Sequence, residues 1–169
     1  MSITMTSKEI PTPLAIHETT VRPEWIDYNG HMNVAFYVLA FDHATDAMLD
    51  YLRLTHDYKA KENTTTFVAD MNVTYRQEVK EGDPLRFTTR ILNCDEKRIH
   101  FWHEMYHAEK GYLAATNELL SLHIDLRTRR VGPMSREIAS WVSEVCAAHA
   151  TLPNPEGVGR LIGMMKKAP

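Results

Sequence analysis

Asp27-Tyr28-Asn29-Gly30-His31-Met32-Asn33, running straight into Val34-Ala35-Phe36-Tyr37-Val38-Leu39-Ala40-Phe41, is the stretch that decides how this chain folds. Asp, Asn and Gly are turn residues, and an apolar repeat follows them at once, so a turn hands over to a helix. Asn33 has the right side chain, in the right place, to cap that helix. Downstream, Tyr37, Ala40, Phe41, Ala44, Met48 and Tyr51 recur at three- and four-residue steps, which predicts an amphipathic helix from Val34 to about Leu52. Asp42, Asp46 and Asp50 line another face as a solvated acidic stripe.

The same stretch suggests chemistry. A helix start gathers unpaired backbone N–H groups and a partial positive charge. A carboxylate beside it, Asp27, can attack a carbonyl whose oxygen rests on those N–H groups, or activate water against it. Spacing alone leaves an ordinary alternative open, in which Asp27 and Asn33 shape a turn and cap a helix and Gly30 only lets the chain reverse.

Around this helix the periodicity is that of strands. Residues 16–22 read as a weak first strand ended by Pro23. After Asn63 the period becomes two: Phe67, Ala69, Met71, Val73 and Tyr75 alternate with Val68, Asp70, Asn72, Thr74 and Arg76. The turn at Glu81–Pro84, the alternating run Leu85–Ile91, the turn Asn93–Lys97, the run Ile99–Met105 and a last run from Gly111 to about Asp125 follow. Short connections between consecutive strands predict antiparallel pairing. Ser135 to about His149 forms a second helix. The expected architecture is α+β, a five-stranded antiparallel sheet around one long helix plus a C-terminal helix. The expected organisation is an arm at 1–13, one domain at 14–150 and a loose tail at 151–169 with a short helical end. One helix leaves sheet surface and strand edges uncovered, so self-association is expected.

Bulk properties narrow the function. The 169 residues suit a single domain, and a net charge of −3 argues against nucleic acid or an anionic membrane as partner. No apolar run is long enough to span a bilayer. Met1–Pro13 lacks the basic start and apolar stretch of a signal peptide, and Cys94 and Cys146 read as free thiols, so a cytoplasmic setting is expected. His100, His103 and His107 do not make a metal site, because 100 and 103 point to opposite faces of a strand and 103 and 107 lie over ~13 Å apart along it. No C-x-x-C pair is present.

With the order of elements in view, Asp27-Tyr28-Asn29-Gly30-His31-Met32-Asn33 with Tyr37, and Tyr75-Arg76-Gln77-Glu78-Val79-Lys80-Glu81-Gly82-Asp83-Pro84-Leu85, resemble the hotdog-fold acyl-CoA thioesterases of the 4-hydroxybenzoyl-CoA thioesterase type over roughly residues 14–130. The resemblance implies a hotdog fold, hydrolysis of an acyl-CoA thioester, and Asp27 as the catalytic carboxylate. Pro23–Met32, Lys97–His103, Ala115–Glu118 and Leu122–Asp125 look more narrowly like betainyl-CoA thioesterases of bacterial carnitine breakdown, which implies hydrolysis of betainyl-CoA to glycine betaine and coenzyme A.

On that reading Asp27 is base or nucleophile, and amides around Asn33 and Val34 polarise the carbonyl. Gly30 allows close approach, and His31 orients Asp27 or the substrate unless it is a structural histidine. A trimethylammonium group is recognised by aromatic faces, for which Trp25, Trp102 and Tyr37 are candidates, with Tyr28 and Phe36 nearby. Arg98, Arg129 and Arg130, in expected turns, are candidates for the phosphates of coenzyme A. The expectation is an enzyme needing no metal or redox cofactor, a homodimer or homotetramer. The alternatives are another acyl-CoA thioesterase of this type, a hotdog dehydratase that pairs His31 with a carboxylate, or a noncatalytic ligand-binding hotdog domain.

Overall fold

Alternation builds the sheet, and the long helix fills it. The computed structural model describes residues 9–164, so the outer parts of the expected arm and tail, 1–8 and 165–169, lie outside the described residues. Strand β1 (Leu14–Thr20) leads through a single 3₁₀ turn (Pro23–Trp25) to helix α1 (Val34–Tyr51), a short helix α2 (His56–Glu62), strands β2 (Thr64–Tyr75), β3 (Pro84–Cys94), β4 (Arg98–His107), β5 (Leu113–Asp125) and β6 (Arg130–Val131), and helix α3 (Arg136–His149). The sheet runs in the order β1-β3-β4-β5-β2, antiparallel throughout, with β6 appended to β5. This is the hotdog fold.

Four details differ from the sequence reading. The sheet gains the two-residue β6 through Ile124↔Val131 and Asp125↔Arg130. Helix α2 went unread because its seven residues are too few to display a period; Thr55 caps it by accepting from Tyr58 N–H at 3.3 Å, and Asn63 ends it in the left-handed region at φ 53°. The first strand begins and ends two residues earlier than expected, and residues 151–164 contain turns but no helix.

Inward positions of β4 show how the layers lock. Phe101, His103, Met105 and His107 are all buried. Phe41 of α1 stacks on His103 with centroids 5.9 Å apart and meets Phe87 edge-on at 5.7 Å. Burying one such ring stabilises the fold by about 2–3 kcal/mol. Thr45 Oγ1–H donates to Phe41 O at 3.0 Å, which leaves Thr45 Oγ1 to accept from His103 Nε2–H at 2.9 Å, while Thr89 Oγ1–H donates to Nδ1 at 2.7 Å. His103 is thus a satisfied core residue tying α1 to β3 and β4. Helix α3 covers the other end of the same face, packing Ile138, Val142 and Val145 against Leu14, Ile91 and Phe101. Among the described residues no strand pairs with the outer side of β2, and Phe67, Val68, Met71 and Tyr75 on it are 38–47% exposed.

Candidate active site

The loop that carries Asp27 is held by its own backbone. Asp27 N–H donates to His31 O and Gly30 N–H to Asp27 O, both at 3.0 Å, and Gly30 sits at φ 80°, where a side chain is strained. Two further bonds dock the loop: Met32 N–H to Val79 O at 3.0 Å and Asn33 N–H to Trp25 O at 2.9 Å. Asn33 Oδ1 then accepts from Ala35 N–H at 3.0 Å, which makes it the N-cap of α1.

This arrangement leaves specific groups uncommitted. Asp27 Oδ1 accepts from Asn29 N–H at 2.8 Å. Among the described residues no donor engages Oδ2, and no acceptor engages Val34 N–H, the first amide of α1. Both residues line a cavity of about 300 Å³ shared with His31, Met32, Tyr37, Tyr75, Arg76, Gln77 and Glu78. Tyr37 and Tyr75 meet edge-to-face at 5.1 Å and form its aromatic wall. Val79 N–H donates to Tyr37 Oη at 3.3 Å and Tyr75 Oη–H donates to Val34 O at 3.3 Å, so both phenols are anchored to backbone next to the helix start. Burial pushes the Tyr37 and Tyr75 hydroxyls above the usual phenol range, which keeps both neutral.

The expected residues divide into those the fold brings together and those it separates. Asp27, Gly30, His31, Asn33, Val34 and Tyr37 converge. His31, however, turns its Nε2 to Glu78 Oε2 at 2.9 Å instead of to Asp27. Trp25 is not in the cavity: its indole is 2% exposed, stacked on Phe36 at 5.9 Å with Arg22 over its face. Trp102 points to the opposite, outer face of the sheet, where its Nε1–H donates to Glu104 Oε1 at 3.3 Å. Neither tryptophan can contact a group held at Asp27. Arg98 is bound to Asp95, with Nη2 2.6 Å from Oδ2. Arg129 and Arg130 follow the end of β5 that pairs with Thr64, whereas the cavity lies at Tyr75, ~36 Å away along β2 at strand rise. Within one chain the three arginines and Asp27 are therefore apart. Tyr75 and Glu78 line the same cavity and were not singled out from the sequence; Tyr75 reads there as one more apolar position of a strand.

Two of the strand histidines face carboxylates. His100 Nε2–H donates to Glu118 Oε1 at 2.8 Å on the outer face, and His107 Nε2 lies 3.4 Å from Asp83 Oδ1. Among the described residues no group of three His, Cys, Asp or Glu side chains could hold a metal ion, and no helix is long and apolar enough to cross a membrane.

Residues 21–142 match the thioesterase-like superfamily. The chain is 38% identical over 151 residues to a betainyl-CoA thioesterase of Pseudomonas aeruginosa, covering 89% of this chain and 95% of that protein. It is 31% identical to an L-carnitine dehydrogenase/betainyl-CoA thioesterase of Rhizobium meliloti, over 91% of this chain and 31% of that longer protein. Its fold superposes on SAV2348 of Staphylococcus aureus, solved in complex with CoA, with a TM-score of 0.84 at 26% identity, over 94% of this chain and 100% of that one. A carboxylate with a free oxygen beside an open helix start, on a hotdog sheet, and these relatives agree: the chain belongs to the thioesterase-like superfamily and is a thioester hydrolase.

Proposed function

We propose that the protein hydrolyses betainyl-CoA to glycine betaine and coenzyme A, with Asp27 Oδ2 as the reacting oxygen. The observation that carries this is the pairing of an unengaged carboxylate oxygen with the unengaged Val34 N–H in one cavity. A thioester carbonyl is electrophilic and its thiolate leaves without much protonation, so a carboxylate and a polarising donor are sufficient machinery. Val34 N–H, with the α1 dipole behind it, stabilises the oxyanion. Asp27 either attacks the carbonyl carbon, giving an anhydride and coenzyme A thiolate, or takes a proton from water as that water attacks.

A trimethylammonium group offers no hydrogen to an acceptor, and Tyr37 and Tyr75 are the aromatic faces within reach of the reacting oxygen; each contact is worth roughly 0.5–2 kcal/mol, more as water is excluded. Tyr37 was expected in this part with Trp25 and Trp102, and Tyr75 takes the place of the two tryptophans. No redox or metal cofactor has a part in this scheme, and the setting is cytoplasmic.

The functional unit is a homodimer. The free edge of β2 exposes Phe67, Val68, Met71 and Tyr75, an edge that soluble proteins ordinarily cover. Antiparallel pairing of two β2 edges carries the Thr64 end of one copy, with its Arg129 and Arg130, toward the Tyr75 end of the other. That brings them toward the cavity of the other copy, where they join Arg76 as candidates for the phosphates of coenzyme A. Pairing of dimers into a tetramer is compatible with this.

A dehydratase would need His31 to work with Asp27, but His31 faces Glu78. Free-thiol release from betainyl-CoA and from a neutral isostere with a tert-butyl group, by wild type and Asp27→Asn, tests the proposal. Thiol release lost in Asp27→Asn and at least tenfold preference for the cation support it; equal turnover of the two substrates removes the betainyl assignment, and undiminished release by Asp27→Asn removes the catalytic one.

A further inference from the structure

The Asp27 cavity holds a second carboxylate. Glu78 lines it together with Asp27, Val34, Tyr37 and Tyr75. The turn after β2 is fixed on both sides of this residue. Tyr112 Oη–H donates to Glu78 O at 3.0 Å, and the next amide, Val79 N–H, donates to Tyr37 Oη at 3.3 Å. The peptide that carries the Glu78 side chain is therefore pinned against the aromatic wall. Its carboxylate is steered by the Asp27 loop, where His31 Nε2 lies 2.9 Å from Oε2. The other oxygen is open. Among the described residues no donor comes within hydrogen-bond distance of Oε1, and Lys80 Nζ stays 4.0 Å away.

A charged oxygen without a donor has a use here. A trimethylammonium group carries its charge on methyl surfaces, so it is met by aromatic faces and by anions acting through charge alone. Asp27 cannot be that anion throughout the reaction, because its own charge is spent when it attacks the carbonyl or takes a proton. Arg76, also in the lining, repels a cation and suits a phosphate. Glu78 makes and breaks no bond, so its charge persists. Burial pushes the Tyr37 hydroxyl up and the Glu78 charge adds to the rise, so the field of this carboxylate is felt at the aromatic wall.

Resting on the betainyl-CoA reading above, we infer that Glu78 is a specificity-determining residue of this site. Its carboxylate acts with the Tyr37 and Tyr75 faces to select acyl-CoA substrates whose acyl group carries a permanent positive charge.

Two substitutions separate this role from a structural one. Glu78→Gln keeps an acceptor for His31 and loses the charge, whereas Glu78→Asp keeps the charge. The quantity to measure is the ratio of kcat/KM for betainyl-CoA to that for the tert-butyl isostere, in which the coenzyme A contacts and the reacting end cancel. Glu78→Gln is expected to cut this ratio about fivefold, the upper range for a charge pair that is half exposed, and Glu78→Asp to hold it within about twofold of wild type. In the wild type, raising NaCl from about 0.05 M to about 0.5 M is expected to lower the ratio about twofold, because salt screens an attraction between charges and leaves the contacts of the neutral isostere alone. The salt series needs no variant and decides by itself if Glu78→Gln does not fold. A wild type that turns over both substrates equally overturns the betainyl-CoA reading and the role of Glu78 together. A wild type that prefers the cation, with a ratio that Glu78→Gln or salt leaves unmoved, or that Glu78→Asp lowers as far as Glu78→Gln does, overturns the role of Glu78 and leaves the betainyl-CoA reading standing.

Discussion

Asp27 and Glu118 are both partly buried carboxylates with a histidine within a few residues or one strand away, and both border a cavity, yet only one of them is free to react. Glu118 has each oxygen engaged: Oε1 by His100 and Oε2 by Gly159. Asp27 has one oxygen bound by Asn29 N–H and the other open to a cavity. Cavity size points the wrong way, since the space at Glu118 is about 400 Å³ and that at Asp27 about 300 Å³. A carboxylate with both oxygens held by donors holds structure together, and one with an oxygen facing space beside an unpaired N–H can do chemistry. The contrast teaches that counting satisfied acceptors separates a clasp from a catalyst better than counting charges or volume.

The contrast is broken most directly by Asp27→Asn, which is isosteric. A 10²–10⁴-fold loss in kcat/KM is expected by the usual magnitude for a positioned acid or base, with the thermal midpoint nearly unmoved. Thiol-release kinetics and a melting curve on the same sample check both halves. If instead the midpoint drops and activity persists, Asp27 is a structural residue and the comparison fails.

The next effect concerns stability alone. Burial, with the nearby His17 adding to it, depresses His103 to about 3. Below the ordinary imidazole value of about 6.5 the unfolded chain takes up a proton that the folded one refuses, so stability is full above that value and is lost as the pH falls toward 3. His17 and His149 are shifted in the same direction, chiefly by burial. Acidifying from pH 7 to pH 4 is expected to cost about 3 kcal/mol from His103. Denaturant midpoints across that range measure it, and His103→Gln, less stable throughout, should show a flatter pH profile.

Glu118→Gln comes third. It weakens the contacts to His100 and Gly159 and should cost about 1–3 kcal/mol of stability, with kcat within about twofold of wild type for a residue outside the Asp27 cavity. A loss of kcat comparable to that of Asp27→Asn would mean that the outer face takes part in catalysis.

The smallest effect is expected of His31→Ala. The His31–Glu78 pair is 36% and 53% exposed, and such pairs contribute at most about 1 kcal/mol. A fall in kcat/KM of less than about fivefold is expected by that measure. A loss as large as that of Asp27→Asn would restore His31 to the role that a dehydratase requires.

Much of this molecule could be read from its residues, and the unread parts share a cause. Helix α1, its Asn33 cap and the alternating strands were legible because periodicity and capping are local. Asp27 and Tyr37 were legible because the turn and the helix that carry them lie within eleven residues of sequence. The engagement of His31 by Glu78 was not, since the two are far apart in the chain and no pattern couples them. Trp25 and Trp102 misled because an aromatic in a turn or on a strand reads alike whether it faces core, tail or ligand. The path of residues 151–160 across the outer face was illegible for a different reason: Gly159 binds through its N–H and Arg160 in part through its carbonyl, backbone groups that every sequence has.

His149 shows what one imidazole can do for the geography of a chain. Its Nε2–H donates to Pro11 O at 3.0 Å, and its Nδ1 accepts from Ile91 N–H at 2.8 Å. The incoming polypeptide and the end of the last helix are thereby fastened at one corner, ~23 Å along β3 from the end that abuts the Asp27 loop. The chain therefore enters the sheet, and α3 ends, at the side away from the Asp27 cavity, so neither crowds its opening.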